Sequence, residues 1–527
     1  MYDKTNDWML TKNARQLIEL DDLMISGHQD EYSIEEIERV TGWSRYLATN
    51  NLGLLIDHIA RYMPEQNQMI EWVEPQKVAR VNRNHYPFPS YLRYTFFKQS
   101  AGAVYLYMIM TETFTTVEDF AHRMNLSTTK IRQVMHEVDE ELAKSNIQVD
   151  QHYRLIGDEI QIRHWSHAIL YQMLAGNEVF MASIKPQLSK ADDLREMVAR
   201  LFVSFNRTMT AAQKANIGYL MAILDLRYRG RHIADLSRQV DWTIDETKLS
   251  AKYLGYLSTI RETLNTAYPY LTFSQVETES MYILINVLLI VDDPKMHDFW
   301  ADTPSEKHFE STLDFIQEAY TDFFGLIIAR NQLAQMRELL FQPVMYYSLY
   351  GSAQNMYSWH SEVVSTEYPI VAQFTHAVLE RRAEALNDDV NHLRDALYME
   401  FFSTFIQVLN IRQLLAPVKI LISFTGLSAL KKYVMDRING VGGVLVEFTD
   451  DYDADIDFVI SDTSLGNPTA VETFVWHTVP NEDEWQRFIK HAVSRSVLKF
   501  NVTYGHAIQQ EAPVCTMTDE SSTADEQ

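Results

Sequence analysis

A single cysteine, Cys515, in a chain of 527 residues excludes an intrachain disulfide and any zinc site built on cysteines. Long apolar runs are missing as well. The longest, such as MYILINVLLIV at Met281–Val291, stop far short of the roughly 20 residues needed to span a bilayer. The opening residues, MYDKTNDWML, lack the basic flank and apolar stretch of a signal peptide, so a cytoplasmic chain with no membrane partner is expected. No glycine-rich phosphate loop, G-x-S-x-G elbow, Ser/His/Asp arrangement or histidine pair at metal-ligand spacing stands out, so no catalytic residue, cofactor or metal is expected. Acids, too, are absent from Pro75 to Thr111, where Lys77, Arg80, Arg83, Arg93 and Lys98 lie.

That local gap matters because the formal net charge of -25 otherwise disfavours a polyanionic partner. Residues 1–165 hold 17 Lys and Arg against 24 Asp and Glu, a balance of -7, which leaves -18 for the remainder. Cationic patches on an acidic chain suit specific DNA binding with weak attraction to DNA in general. At about 150 residues per domain the length implies three to five domains. Hydrophobic content of 46% with 22% charged residues is that of a soluble globular protein.

The stretch TVEDFAHRMNLSTTKIRQVMHEV, Thr116–Val138, sets two short helices around a tight polar break. Ala121 permits close helix approach, Asn125 suits a left-handed turn, and Leu126 is expected to point inward. Ser127 can cap a second helix whose Ile131, Val134 and Val138 share one face. The other face shows Thr128, Thr129, Lys130, Arg132 and Gln133, short polar and basic groups able to reach phosphates and base edges. A helix-turn-helix is expected, with Ser127 and these five residues at DNA. Downstream, IQVDQHYRLIGDEIQIR alternates on both sides of Gly157-Asp158 and reads as a β-hairpin wing turning there.

An earlier stretch, Tyr32–Met63, repeats the layout. Ser33 caps a helix bearing Ile34, Ile37 and Val40; Gly42 turns the chain; Ser44 opens a longer helix with Leu47, Leu54 and Ile59 inward. Arg45, Thr49, Asn50 and Asn51 are expected to face out, the first three as DNA contacts, although Glu35, Glu36, Glu38 and Asp57 crowd this unit.

From Trp165 to Leu415 apolar residues recur at helical spacing, with a break at Asp292-Asp293-Pro294. After Pro417 the pattern becomes strand (VKILISF), helix (ALKKYVMDRI), strand (VLVEF) and strand (DIDFVISD), an α/β unit on a parallel sheet. The fold class expected is multidomain and mainly α, with N-terminal winged helix-turn-helix units, two helical bundle domains and a C-terminal α/β domain with a parallel sheet. The boundaries fall at 1–70, 71–164, 165–293, 294–415 and 416–510, followed by a disordered acidic tail at 511–527.

This order of units, with Gly157, Glu159, Ile162 and Arg163 at the junction after the wing, resembles the Mga/AtxA family of Gram-positive transcription regulators. The resemblance implies that the helical pair is similar to phosphotransferase-system regulation domains, whose histidines accept phosphate from the sugar phosphotransferase-system phosphocarrier. It implies that the last domain is similar to the enzyme IIB fold and is associated with homodimerisation. A IIB carrier of this type holds phosphate on a cysteine after the first strand, but Phe424-Thr425-Gly426-Leu427-Ser428 has no thiol, so a non-catalytic role is expected. His232, close to Arg227, Arg229 and Arg231, is the leading phosphoacceptor candidate; His376 and His392 are the candidates in the second helical domain. An unmodified surface histidine is the ordinary alternative for each. The expected function is a dimeric regulator binding double-stranded promoter DNA; the alternative is a phosphotransferase-system component or phosphohistidine relay protein without DNA binding.

Overall fold

The structure, a computed structural model, describes residues 7–26, 30–62, 69–74, 77–82, 95–174, 191–204, 209–236, 244–291, 296–351, 367–425, 428–451, 455–463 and 471–505. The protein is multidomain and mainly α, and it divides into two units, one dominated by residues 1–306 and the other by 307–527. Arg83, Arg93, Gly426, Leu427 and the acidic tail lie outside the described residues.

In the first unit, helices α1 (Lys12–Ser26) and α2 (Ile34–Thr41) both pack on α3 (Arg45–Tyr62). A reciprocal capping box starts α2: the Glu36 N–H donates to Ser33 Oγ at 3.2 Å and the Ser33 N–H to the Glu36 carboxylate at 2.9 Å. Gly42, at φ 71°, ends it. Strand β1 (Glu31–Ser33) pairs antiparallel with β3 (Val78–Val81), which pairs antiparallel with β2 (Ile70–Val73). No strands are expected here from sequence, and β2 begins where the sequence divides two domains.

Three helices and a hairpin follow: α4 (Ala101–Met110), α5 (Val117–Met124), α6 (Thr128–Lys144), β4 (Gln148–Val149) and β5 (Leu155–Ile156). Helices α7 (Glu159–Leu174), α8 (Ala191–Ser204), α9 (Ala211–Arg229), α10 (Ala251–Ala267), α11 (Phe273–Val291) and α12 (Met296–Trp300) complete this unit. One apolar core runs from Leu17 and Ile37 through Tyr105, Ile131 and Leu142 to Tyr219 and Ile223 of α9. The helical segment and the helix-turn-helix region therefore share buried surface, the main stabilising term for both.

The second unit contains α13 (Pro304–Phe324), α14 (Arg330–Tyr350), α15 (Pro369–Leu386) and α16 (Val390–Val408). Among the described residues, none from 165 to 415 is in a strand. Beyond them β6 (Val418–Ser423), α17 (Ser428–Asn439), β7 (Val446–Thr449), β8 (Phe458–Ser461), β9 (Glu472–Val475) and α18 (Glu482–Tyr504) form a parallel sheet of order β7-β6-β8-β9. Strand β9 and helix α18 extend the expected α/β unit. Ile420, Ile422, Phe458 and Ile460 pack on Val434 and Ile438 of α17 and on Trp485 and Phe488 of α18. The far end of α18 places Phe500 and Tyr504 against Phe324 of α13. No helix among the described residues is long and apolar enough to cross a membrane.

Candidate nucleic-acid interface

The turn between α5 and α6 is built from local chemistry. Thr116 accepts the Asp119 N–H at 3.1 Å and starts α5. Asn125, at φ 54°, ends it, and the Leu126 N–H returns to the Ala121 carbonyl at 3.0 Å. Ser127 Oγ then accepts the Lys130 N–H at 3.2 Å and starts α6. Ala121, Ile131, Val138 and Leu142 are buried, and Val134 is half-buried. Leu126 is a correction: it is 40% exposed, because the tight return of its own amide to α5 carries its side chain out of the core.

Ser127, Thr129, Lys130, Arg132 and Gln133 are exposed, and Thr128 is partly so. Lys130 Nζ donates to Gln133 Oε1 at 3.1 Å, and Gln133 Nε2 donates to Glu137 Oε1 at 2.9 Å. The basic groups thus occupy the first turns of α6, while Glu137, Glu140 and Glu141 follow toward its C-terminus. A polyanion is attracted at the start of the helix and repelled further along.

Beside it, β4 and β5 pair with Gln148 opposite Ile156 and Val149 opposite Leu155. The wing is present, but it turns at 150–154 rather than at Gly157-Asp158. Asp150 Oδ1 accepts the N–H groups of His152 and Arg154 at 2.8 and 2.9 Å, closing the turn, and the Tyr153 ring packs 4.4 Å from that of Phe114. Gly157 takes φ 150°, where an added Cβ would stand 3.0 Å from the Asn146 carbonyl. Asp158 then caps α7 through the N–H of Ile160 at 2.8 Å, so the alternation after it is the buried face of a helix.

In the first helix pair Arg45, Thr49 and Asn50 are exposed, and Arg45 lies 3.4 Å from Glu35. Asn51 is a correction, since it is 1% exposed beside the buried Leu52 and Leu55. Val40 and Leu54 are exposed rather than inward, because the burial stripe of this short pair falls on Ile37, Ala48, Leu55 and Ile59. Sequence reasoning passed over Tyr46, which is 80% exposed one residue from Arg45; only an aromatic outside the apolar stripe signals it. Lys77 and Lys98 are exposed, and Arg80 pairs with Glu31 at 2.8 Å.

The candidate histidines lie elsewhere. His232 follows α9 and is partly sheltered, with Nε2 2.7 Å from Glu112 Oε1. That hydrogen bond is the main reason the Glu112 carboxyl is held below the usual carboxylate range. The three arginines are turned to other partners: Arg227 to Glu159 at 2.7 Å, Arg229 to Asp225 at 2.7 Å, and Arg231 to the Tyr270 ring. His376 is half-buried with its ring 4.9 Å from that of Tyr398. His392 is exposed in the first turn of α16, where its N–H donates to Asp389. No group of three His, Cys, Asp or Glu side chains fit to hold a metal occurs among the described residues.

Two capped helices at a tight turn, a hairpin beside them and an exposed basic start to the second helix define a winged helix-turn-helix protein of the DNA-binding class. Residues 90–168 match the family model of the Mga helix-turn-helix domain. That match gives the chain an Mga-type helix-turn-helix domain and supports reading it as a DNA-binding regulator. No curated protein matches the chain.

Proposed function

We propose that this protein is a transcription regulator that binds promoter DNA as a homodimer and is tuned by histidine phosphorylation from the sugar phosphotransferase system. The observation that carries the DNA-binding reading is the exposed, acid-free first turn and a half of α6, with Lys130 and Arg132 projecting from a capped helix start. Ser127, Thr128, Thr129 and Gln133 supply polar contacts beside them. Arg45, Thr49 and Asn50 form a second, weaker surface, since acids surround them. A two-fold dimer places paired reading helices about 34 Å apart, or a multiple of that.

The last domain serves as a dimerisation module in this reading, without carrying phosphate. Its support is the loop after β6, where the Thr425 N–H and hydroxyl both donate to Asp462, at 2.7 and 2.8 Å. An amide that could face a phosphate already faces a carboxylate, which also counts against a relay protein without DNA binding. Control enters at His232, with His376 and His392 as the sites in the second helical region. A phosphoryl group on His232 Nε2 would meet the Glu112 carboxylate, and two anions at hydrogen-bond distance separate. Mobility shift of the full chain on promoter fragments tests the main reading: retardation that Lys130→Ala with Arg132→Ala weakens is expected. A chain ending near Leu415 is expected to shift toward monomer in light scattering, and phosphocarrier labelling is expected on His232; a protein that retards no fragment is no such regulator.

A further inference from the structure

The wing is gripped from behind by the helical segment that follows it. Glu112, in the loop just ahead of α5, points one carboxylate oxygen at His232 Nε2, 2.7 Å away, and the other toward Arg154 of the wing turn, 3.7 Å away. Arg227, at the end of α9, donates to the Leu155 carbonyl in β5 at 3.5 Å and to both oxygens of Glu159, the first residue of α7, at 2.9 and 2.7 Å. Arg163, fully buried one turn along α7, donates to Glu279 of α11 at 2.7 and 2.9 Å and to the His232 carbonyl at 3.0 Å. The Ala234 N–H completes the ring by donating to Glu279 at 2.7 Å. The loop bearing His232 is thus held through its backbone by the helix that leaves the wing, and through its side chain by the residue that enters the helix-turn-helix.

Two further features show that the contact is specified. Glu112, Tyr153 and Arg231 all adopt left-handed backbone, at φ 54°, 58° and 60°, a conformation that costs free energy for residues with a side chain and persists where the surroundings fix it. Gly230 stands directly behind the pair: an added Cβ would lie 2.5 Å from Glu112 Oε1 and 2.6 Å from His232 Cδ2. Only a residue without a side chain lets the two groups meet there.

We propose that Glu112, His232 and Arg227 are positioning residues for DNA binding, which fix the wing against α6 so that the loop after α9 sets how the wing meets the duplex. The proposal rests on the DNA-binding reading above, and the α6 contacts themselves are untouched by it. Displacing the pair tilts the wing and leaves the start of α6 in place.

The test uses the full chain and a duplex recovered by the wild type from a randomised DNA pool. Gly230→Ala suits the backbone, which is at φ -73°, and pushes apart the flexible ends of Glu112 and His232 without changing a charge. Glu112→Gly removes the carboxylate and suits the left-handed backbone, so the fold is spared. Each variant is expected to bind about three- to tenfold more weakly. Hydroxyl-radical footprints are expected to lose protection at the wing flank only, and the double variant is expected to be no weaker than the weaker single. Wild-type affinity and footprint in both variants, or equal loss across the whole footprint, overturns the positioning role alone. If the wild type recovers no duplex from the pool, the DNA-binding reading fails and this proposal falls with it.

Discussion

Glu279→Ala breaks a fully buried ion pair with Arg163. The Glu279 carboxylate is fully buried and accepts from Arg163 twice, from the Tyr228 hydroxyl at 2.9 Å and from the Ala234 N–H. Burial works against the charge on Arg163, yet Glu279 and Glu159 hold its guanidinium pKa well above the ordinary value. Removing one partner of a buried ion pair costs about 3–5 kcal/mol, because the other charge is left dry. Glu159, 2.9 Å from Arg163 Nε, still compensates in part and pulls the figure down. The orphaned Tyr228 hydroxyl and Ala234 N–H each add about 1–3 kcal/mol and pull it back up. A loss of about 4 kcal/mol is expected, which at an m value near 3 kcal/mol/M moves the urea midpoint by more than ~1 M. Urea unfolding of the full chain measures it, and hydrogen exchange in α7 and α11 locates the loss in the first unit. Replacing both partners, Arg163→Met with Glu279→Leu, is expected to be milder than Glu279→Ala alone. A single variant within about 1 kcal/mol of wild type, or a double variant as costly as the two singles added, refutes the reasoning.

Two other outcomes follow from local chemistry. Asn125→Ala places a Cβ-bearing residue with no local hydrogen-bonding group at φ 54° and is expected to cost about 1 kcal/mol in thermal unfolding, while Asn125→Gly is neutral; equal effects would show that the turn carries no strain. His164 is pushed down to about 3 by burial with His167 nearby, and burial lowers His167 as well, although its Nε2 lies 3.1 Å from the Asn216 carbonyl. Both pKa values are depressed, so the unfolded chain takes protons first: the stability is fully present above about pH 6.5 and is lost as pH falls toward 3, by at most about 1.4 kcal/mol per unit for His164. Urea unfolding at pH 7, 6 and 5 is expected to show this slope and His164→Gln to flatten it; an unchanged slope in the variant means that the ring is solvated.

What was legible in the sequence was short-range. Ser127, Asn125, Ser33 and Gly42 act on residues within four positions, and their chemistry dictates caps and turns wherever the chain goes. The run VKILISF is strand-like by itself, and burial on both faces of a parallel sheet explains its unbroken apolar character. The wing is legible in the sequence but not its turn, because Ile160 and Ile162 mimic strand alternation and the closing role of Asp150 depends on its rotamer. The partners of His232 could not be read at all. Glu112 lies 120 residues away and Glu159 lies 68 residues from Arg227; in space Arg227 and Arg229 are drawn to other carboxylates and Arg231 to the Tyr270 ring. Asn51 and Leu54 differ from the sequence reading for the same reason, since the burial stripe on α3 is set by α1 and α2.

The central claim is that the first turns of α6 meet DNA phosphates. The salt dependence of binding tests it most directly, because each phosphate neutralised adds close to one unit to the slope of log affinity against log salt. With the full-length protein, Lys130→Ala combined with Arg132→Ala is expected to weaken binding and to lower that slope by about one to two units. A folded double variant with wild-type affinity and an unchanged slope would contradict the account.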